Sequence, residues 1–290
     1  MRRVAVGVVV ALPFLLGAAA GDEPAGNRPA FRFADPEIVE SSGLTVAGGL
    51  VVTTNDSGDS GRVFVVDPAS GATLGVTSWE QDPTDVEALA PAGPGHVWVA
   101  DTGDNRQVRD SVEVLRVPVG RDDVTVTPAA FELVYPDGPR DAEALVSHPV
   151  TGRLHVITKG VFGGTVYAAP ARLDPRGPNR LEAVADAPGI VTDATFLPGG
   201  GGVVMRTYSR AHLVAYPSWE GLASWDLPPQ DQGEGVAVSG RDLLVSTEGA
   251  RSQVLAVPLP AEAGATDLRS PAWTALRWLA TARGLPLTAG

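Results

Sequence analysis

Cysteine is absent from this 290-residue sequence. Its absence excludes disulfide bonds, cysteine-ligated zinc, iron–sulfur clusters and thiol nucleophiles. It also excludes a lipid-modified cysteine behind an N-terminal leader. The folded chain must therefore be stabilised by packing alone, without covalent cross-links.

Lysine is almost absent as well, because Lys159 is the only one and arginine carries the other positive charges. The sequence contains 22 basic and 34 acidic residues, which gives a formal net charge of −12. An acidic surface repels phosphate backbones, so this composition argues against nucleic acid as a partner. The 19% of charged residues beside 44% of hydrophobic residues is typical of a globular chain.

Long apolar runs are absent after the first twenty residues. Arg2 and Arg3 precede an apolar stretch at 4–16, and the alanines at 18–20 form a small-residue cleavage site. This order is typical of a signal peptide over residues 1–20, cleaved after Ala20 and followed by a linker at 21–30. An uncleaved anchor helix is the alternative. The sequence predicts an exported protein of the extracellular space or cell envelope, with no transmembrane segment in the mature chain.

A short motif recurs five times along the rest of the chain. Its copies are ESSGL (40–44), DVEAL (85–89), DAEAL (141–145), VTDAT (191–195) and QGEGV (232–236). The third positions of these copies follow one another at intervals of 41 to 56 residues. Such intervals are typical of four-stranded propeller blades, as in WD40 repeats.

The same features follow each copy of the motif. A turn containing Gly or Pro leads into a β-rich run, at 50–54, 96–100, 153–158, 202–207 and 242–247. A polar loop and a second run come next, at 62–67, 112–118, 165–170, 212–217 and 253–258. A third strand is weaker, for example at 125–136 and 180–188. Each repeat thus offers four strands joined by turns.

The sequence therefore predicts an all-β protein, a β-propeller of about five four-stranded blades over residues 31–260. Residues 31–39 supply the outer strand that the fifth repeat lacks, and so close the ring. Six blades are the alternative, because the interval from Glu87 to Glu143 is long. Residues 261–290 form a C-terminal tail, in which 273–283 has the composition of a short helix.

The acidic positions of the motif are the first candidate site. The first strand of each blade lines the central channel of a propeller, and residues two apart on a strand point to one face. Equivalent positions should therefore converge on one axis. The candidate metal or ligand residues are Glu40, Asp85, Glu87, Asp141, Glu143, Asp193 and Glu234.

Crowded carboxylates repel one another unless a cation neutralises them. A set of oxygen ligands suits Ca²⁺ or another divalent cation, and no organic cofactor is indicated. In the alternative interpretation, each carboxylate binds backbone N–H groups or arginines of the next blade and only packs the blades together.

The loops after the β-rich runs hold a second-choice site. Its residues are Asn55, Asp56, Asp59, Asp101, Asp104, Asn105, Arg106, Lys159 and Glu248. Loops rich in Asx and Gly ligate Ca²⁺ in some proteins and form simple turns in others. Position twelve from Asn55 is Val66, so the loop there is not an EF-hand. Because strands alternate in direction, we expect these loops at the opposite end of the propeller from the starts of the first strands.

The motifs D-x-E-A-L and D-T-G-D-N resemble those of a group of secreted bacterial propellers of largely unassigned function. The chain is similar, more distantly, to esterase-like phytase propellers and to the gluconolactonase type. That resemblance implies a central divalent cation held by carboxylates and, in some members, hydrolysis of esters, lactones or phosphates. It points to Glu87, Glu143, Asp193 and Glu234, with Asp85 and Asp141 beside them. Ser42 and Val191 depart from the acidic pattern, and the scarcity of basic residues weakens the phytase resemblance.

Three functions fit these observations. The first is an exported binding or scaffold propeller that holds a divalent cation and takes an unknown protein, cell-wall or small-molecule ligand. The second is a metal-dependent hydrolase of small esters, lactones or phosphoesters. The third is a purely structural interaction propeller. We favour a non-enzymatic role, because no G-x-S-x-G elbow, phosphate-binding loop or dinucleotide fingerprint occurs and no catalytic residue can be named.

Overall fold

The computed structural model describes residues 26–56 and 58–267 of the chain. The predicted signal peptide and the helix expected at 273–283 lie outside the described residues. Within them, no helix is long and apolar enough to cross a membrane. The described residues form twenty-two β-strands and one short helix.

The strands form five blades, each built outward from an inner strand. Blade one contains β2 (Ser41–Ala47), β3 (Leu50–Asn55), β4 (Arg62–Val66) and β5 (Thr73–Trp79). Blade two contains β6 (Val86–Pro91), β7 (His96–Asp101), β8 (Val112–Pro118) and β10 (Ala129–Val134). Blade three contains β11 (Ala142–Ser147), β12 (Leu154–Thr158), β13 (Gly164–Ala168) and β15 (Glu182–Ala187).

Blade four contains β16 (Val191–Phe196), β17 (Gly202–Thr207), β18 (Arg210–Ala215) and β19 (Gly221–Asp226). Blade five contains β20 (Gly233–Ser239), β21 (Asp242–Thr247), β22 (Gln253–Pro258) and the N-terminal strand β1 (Arg28–Arg32). The inner strands β2, β6, β11, β16 and β20 each pack against the next one around the axis. This cyclic order confirms the predicted β-propeller.

The ring closes through β1, which pairs antiparallel with β22. The closing strand thus comes from the N-terminal end, as the sequence predicted, but it lies at 28–32 instead of 31–39. Residues after Arg32 leave the sheet because Pro36 has no N–H to donate and the chain turns there, with the Ile38 N–H bonded to the Asp35 carbonyl. Closure pairs an edge that would otherwise be exposed.

Five blades form, and the six-blade alternative is wrong. The long interval between Glu87 and Glu143 holds β9 (Val124–Val126), which pairs in parallel with β5 on the outside of blade one. The chain then returns to blade two as β10, so the predicted strand at 125–136 is divided between two blades. A second short strand, β14 (Asn179–Arg180), pairs in parallel with β10. Both additions overlap a neighbouring blade and lengthen the repeat without adding a blade.

The hydrophobic core is divided into five clusters, and each cluster lies between two adjacent blades. Both faces of an inner strand are therefore buried, which explains why the first five residues of β6 and all six residues of β11 are buried. Phe31 and Phe33, 5.5 Å apart edge to face, belong to the cluster that joins blade five to blade one. The helix α1 (Ala261–Asp267) places Ala263 in the cluster between blades four and five.

We predict that Phe33→Ala lowers the free energy of unfolding by about 3–5 kcal/mol, because it leaves a cavity in the cluster that closes the ring. Phe33 is 1% exposed. The matched control is Phe162→Ala, which makes the same change at a fully exposed loop position and should alter stability by less than about 0.5 kcal/mol. Urea denaturation measures both. Equal effects of the two variants would contradict the proposed closure.

Candidate functional site

The five inner strands all start at the same end of the axis, so their first residues meet there. Each inner strand breaks its regular pairing at or beside the third position of the motif. In β6 the irregularity lies between Val86 and Ala88, and in β11 it lies between Ala142 and Ala144. A bulge re-aims a side chain, and here it places Glu87 and Glu143 among the converging strand starts.

We call this end of the channel the acidic mouth and define it by Asp56, Asp85, Glu87, Asp141, Glu143, Glu234 and Glu248. Three of its carboxylates form a compact group, because one oxygen each from Asp56, Asp85 and Glu87 lies within 4.8 Å of the others. Glu87 is buried, and the other two are half-buried. The Ser42 hydroxyl donates to the backbone carbonyl of Glu87 at 2.9 Å and lies 3.3 Å from Oε2 of its carboxylate.

Gly103, the glycine of the D-T-G-D-N motif, lies against this group. A Cβ at this position would lie 2.6 Å from Oε1 of Glu87 and would also overlap the Asp85 carboxylate. The Gly103 N–H donates to the Asp85 carbonyl at 3.1 Å, which holds the loop against the strand start. The motif therefore needs glycine because two carboxylates occupy the space of a side chain.

The one lysine of the chain lies in the same mouth. Lys159 Nζ is 2.9 Å from Glu143 Oε1 and 5.5 Å from the centre of the Tyr208 ring. Burial alone would lower the pKa of the Lys159 ammonium, but the Glu143 carboxylate outweighs burial and raises that pKa above its usual value. Burial also raises the pKa of Glu143, against the opposing effect of Lys159. The short contact and the other carboxylates nearby favour a charged lysine.

Burial also acts on Glu87, Asp85 and Glu234, of which Glu87 and Glu234 are buried and Asp85 is half-buried. Burial raises the pKa of Glu87, and the charges of Glu143 and Asp56 raise it further. Burial, followed by the charge of Asp56, raises the pKa of Asp85 to about 6. Burial likewise raises the pKa of Glu234 to about 7, and Oε2 of Glu234 is buried without a hydrogen-bond partner. These acids hold protons, or a cation, more readily than free carboxylates do.

Asp193 has a different role from the other acids of the ring. Its carboxylate accepts hydrogen bonds of 2.7 Å from the backbone N–H groups of Ala194 and Val236, so it joins blade four to blade five. Its neighbour Arg206 is fully buried and donates to the carbonyls of Gly235 and Ser246. A Cβ at Gly233 would overlap the Arg206 guanidinium. For Asp193, the structure thus matches the blade-packing interpretation.

The other first-choice residues lie near this end in different environments. Glu40 is exposed at the start of blade one, and its carbonyl accepts from the Asp56 N–H at 3.1 Å. Asp141 is buried, and its Oδ1 accepts from the Asp104 N–H at 2.9 Å. Its pKa is raised by burial, against the opposing effect of that bond.

The second-choice loops lie at the same end as the acidic motif, and the expectation of opposite ends was wrong. An antiparallel second strand ends where the first strand begins, so the loop that follows it returns to the strand start. Asp56, Lys159 and Glu248 enter the acidic mouth for this reason. Glu248 accepts a hydrogen bond from the Gln232 side chain.

Most other second-choice residues shape their own loops. Asn55 accepts from the N–H groups of Val39 and Glu40 and donates to Asp59, which also pairs with Arg62. Asp101 binds Arg109 and the N–H groups of residues 84 and 85. Asp104 accepts from the N–H groups of residues 108 and 109, while Asn105 and Arg106 are exposed.

Sequence reasoning did not identify Arg206 or Gly103 as parts of this end of the channel. One signal was available for Arg206, since it is the charged residue of the apolar run GVVMRT. A charged residue inside a buried strand requires compensation and therefore indicates a polar network.

The sequence matches no protein-family profile and no curated protein. Solved structures with similar folds include the glutaminyl cyclase of Myxococcus xanthus, which is 12% identical with a TM-score of 0.49 over 80% of this chain and 100% of that one. A gluconolactonase from Xanthomonas campestris is 13% identical, with a TM-score of 0.45 over 82% and 96%. A chain of a nidogen/laminin complex is 17% identical, with a TM-score of 0.44 over 74% of this chain and 74% of that one. A gluconolactonase is thus among the similar folds, and these likenesses establish no activity for this chain.

We predict that Lys159→Met lowers the free energy of unfolding by about 1–3 kcal/mol at pH 8, because the buried Glu143 must then either stay charged without its counter-ion or take up a proton. Glu143→Gln in the same chain should restore part of that loss, since no charge then remains to be compensated. Urea denaturation of both single variants and of the double variant measures the coupling. Strictly additive effects would show that the 2.9 Å contact carries no energy.

We predict that, in EDTA, the free energy of unfolding falls as the pH rises from 5 to 7.5. The raised pKa values of about 6 for Asp85 and about 7 for Glu234 mean that the folded chain holds more protons than the unfolded chain in this interval. Stability from such groups is complete below their unfolded pKa and is lost as the pH passes the folded pKa. Glu234→Gln should flatten the profile, measured by urea denaturation at several pH values. A rise in stability across the interval contradicts this prediction.

Proposed function

We propose that this chain is a cation-holding binding propeller, in which Asp56, Asp85 and Glu87 hold one divalent cation at the acidic mouth. The observation that carries the proposal is the approach of their three oxygens to within 4.8 Å of one another. Three carboxylates this close are unfavourable in a desolvated site unless protons or a cation balance their charge.

The donor set and its surroundings fit a hard cation. All three ligands are carboxylate oxygens, which Ca²⁺ and Mg²⁺ prefer over softer metals. Because Gly103 has no side chain, the carboxylates of Asp85 and Glu87 occupy the space beside it and lie against its backbone. Ca²⁺ accepts six to eight oxygens, and ligand or solvent oxygens would complete the three supplied here. We favour Ca²⁺ for this reason.

Lys159 supports the same assignment because it compensates the carboxylates on one side of the mouth. Its ammonium is bonded to Glu143 and is also attracted by Glu234, so it compensates the side of the mouth formed by blades three to five. Asp193 is occupied by backbone N–H groups. One oxygen each from Asp56, Asp85 and Glu87 lies within 4.8 Å of the others, and a divalent cation held there would balance the charge of this group.

A metal-dependent hydrolase is the second candidate function, favoured by one observation. Glu143 and Glu234 are buried acids with raised pKa values in the same mouth as the proposed cation ligands. An acid with a pKa near neutrality can hold or give up a proton during hydrolysis. When bound, a divalent cation would polarise a carbonyl or phosphoryl oxygen. The residues of this chain would hold the cation and carry that proton.

Two further parts of the proposal, the location of the protein and its partner, rest on the sequence. The apolar leader at 1–20 supports export to the extracellular space or cell envelope. Extracellular Ca²⁺ sites work at millimolar cation, so a site with three protein carboxylates suffices there. The partner is a protein, cell-wall or small-molecule ligand that binds at the acidic mouth.

We predict that Ca²⁺ at about a hundred times its Kd stabilises residues 21–290 by about 2.7 kcal/mol relative to EDTA. For a domain of this size, that gain raises the melting temperature by roughly 5–10 °C. The double variant Asp85→Asn with Glu87→Gln should remove the shift, because it keeps the shape of the ligands and removes their charge. Mg²⁺ and Mn²⁺ are compared in the same thermal melts.

The matched control changes the same residue types on the exposed outer strand β15, as Glu182→Gln with Asp186→Asn. This variant should keep the full Ca²⁺ shift. No shift with any cation would overturn the proposed function and leave the ring as blade packing. Chromogenic ester, lactone and phosphate substrates then distinguish binding from hydrolysis, since inertness of the cation-loaded protein excludes the hydrolase for these classes.

A further inference from the structure

Exposed apolar side chains are unevenly distributed over the part of the chain that the structure describes. Ten large apolar side chains are exposed there, and six of them lie in loops at the end of the acidic mouth. These six are Val39, Val108, Val161, Phe162, Ile190 and Tyr208. Apolar exposure concentrated around a polar centre is typical of a binding surface, whereas single scattered residues are not.

Four of the six belong to neighbouring loops of blades three and four, and we call them the apolar rim: Val161, Phe162, Ile190 and Tyr208. Val161 and Phe162 lie in the loop that begins at Lys159. The Ile190 N–H donates to the Gly160 carbonyl at 2.9 Å, which fixes the start of blade four against that loop. Tyr208 lies under the Lys159 ammonium. Lys159 therefore connects the rim to the centre of the mouth.

The rim and the proposed cation ligands lie on different sides of the mouth. Asp56 follows the second strand of blade one, and Asp85 and Glu87 begin blade two, whereas the rim belongs to blades three and four. A ligand bound between the two sides meets an oxygen-seeking cation on one side and apolar side chains on the other. The head of that ligand must offer oxygen, and its body must be apolar.

The charge of the mouth decides which oxygen-bearing head fits. Lys159 and one divalent cation together supply three positive charges. The mouth holds seven carboxylates, more than these three positive charges balance. Negative charge is thus not in deficit, and a second anion from the ligand would be repelled. A neutral carbonyl oxygen coordinates a hard cation without adding charge.

We propose that the acidic mouth binds a small acyl compound, whose neutral carbonyl oxygen meets the cation and whose apolar chain lies on Val161, Phe162, Ile190 and Tyr208. This inference rests on the proposed cation site and names its ligand class. Phe162 contributes most of the rim surface, because its side chain is fully exposed in the free protein. Covering roughly 55 Å² of apolar surface, at about 25 cal/mol per Å², corresponds to about a tenfold gain in affinity.

The test uses three tetramethylrhodamine tracers with one linker and different ends: a hexanoyl amide, an acetyl amide and a hexyl ether. Fluorescence polarisation measures their binding to residues 21–290 in saturating Ca²⁺ and in EDTA. The hexanoyl amide should bind about tenfold more tightly than the acetyl amide, which lacks the apolar chain. The hexyl ether, which lacks the carbonyl, should bind more weakly than the hexanoyl amide. EDTA should abolish the preference for the hexanoyl amide over both other tracers.

Phe162→Ser should weaken the hexanoyl amide about tenfold and leave the acetyl amide unchanged. The matched control is Val150→Ser, an exposed position at the opposite end of the propeller, which should change neither. Both positions are exposed, so folding is not at risk.

The outcomes separate this inference from the proposed function. A Ca²⁺-dependent thermal shift without a chain-length preference overturns the inference and leaves the cation site. A chain-length preference that persists in EDTA, or equal binding of ether and amide, overturns the role given to the carbonyl and the cation. Equal effects of Phe162→Ser and Val150→Ser on binding of the hexanoyl amide overturn the role given to the apolar rim. Absence of any cation shift overturns both proposals.

Discussion

Closure of the ring makes five inner strands start at one end of one axis, and the properties of that end follow from this constraint. Each strand carries a polar residue at its start, where a bulge directs it inward. Asp56 and Glu87, which are 31 residues apart in the sequence, are thereby held with carboxylate oxygens within 4.8 Å of each other. The closed ring opposes their repulsion, since separating them would break the packing between blades.

Three kinds of compensation act on these carboxylates, and they divide the ring. Backbone N–H groups satisfy Asp193 between blades four and five. Arg206 lies buried beside Glu234 and Asp193 and is held by carbonyls. Lys159 pairs with Glu143. Asp56, Asp85 and Glu87 instead group three carboxylate oxygens within 4.8 Å of one another, so the sides of this pseudo-symmetric channel differ in their chemistry. The apolar rim beside Lys159 gives the opposite side a different chemistry.

The fold was predictable to a large degree because it is repetitive. The runs at 202–207 and 242–247 coincide with β17 and β21, since period-two patterning and Gly turns report directly on strands. The closing strand was placed a few residues too late, because Pro36 and the turn beside it follow the strand. The candidate site was harder to predict from the sequence than the fold. The loops holding Asp56 and Lys159 were assigned to the opposite end, although antiparallel pairing returns them to the strand starts.

The sequence by itself determined the repeat, its all-β character and the acidic residues that recur in it, since these are local patterns of residue type and spacing. Only the tertiary structure decided which of those acids meet. Asp193 and Glu87 occupy the same position of the motif, yet one is bound by backbone N–H groups and the other faces two carboxylates. Their difference arises from the neighbouring blade and from the position of the bulge, which leaves Glu87 out of the pairing in β6 but leaves out Thr192 in β16. Contacts of that kind join residues distant in the chain, and no local pattern encodes them.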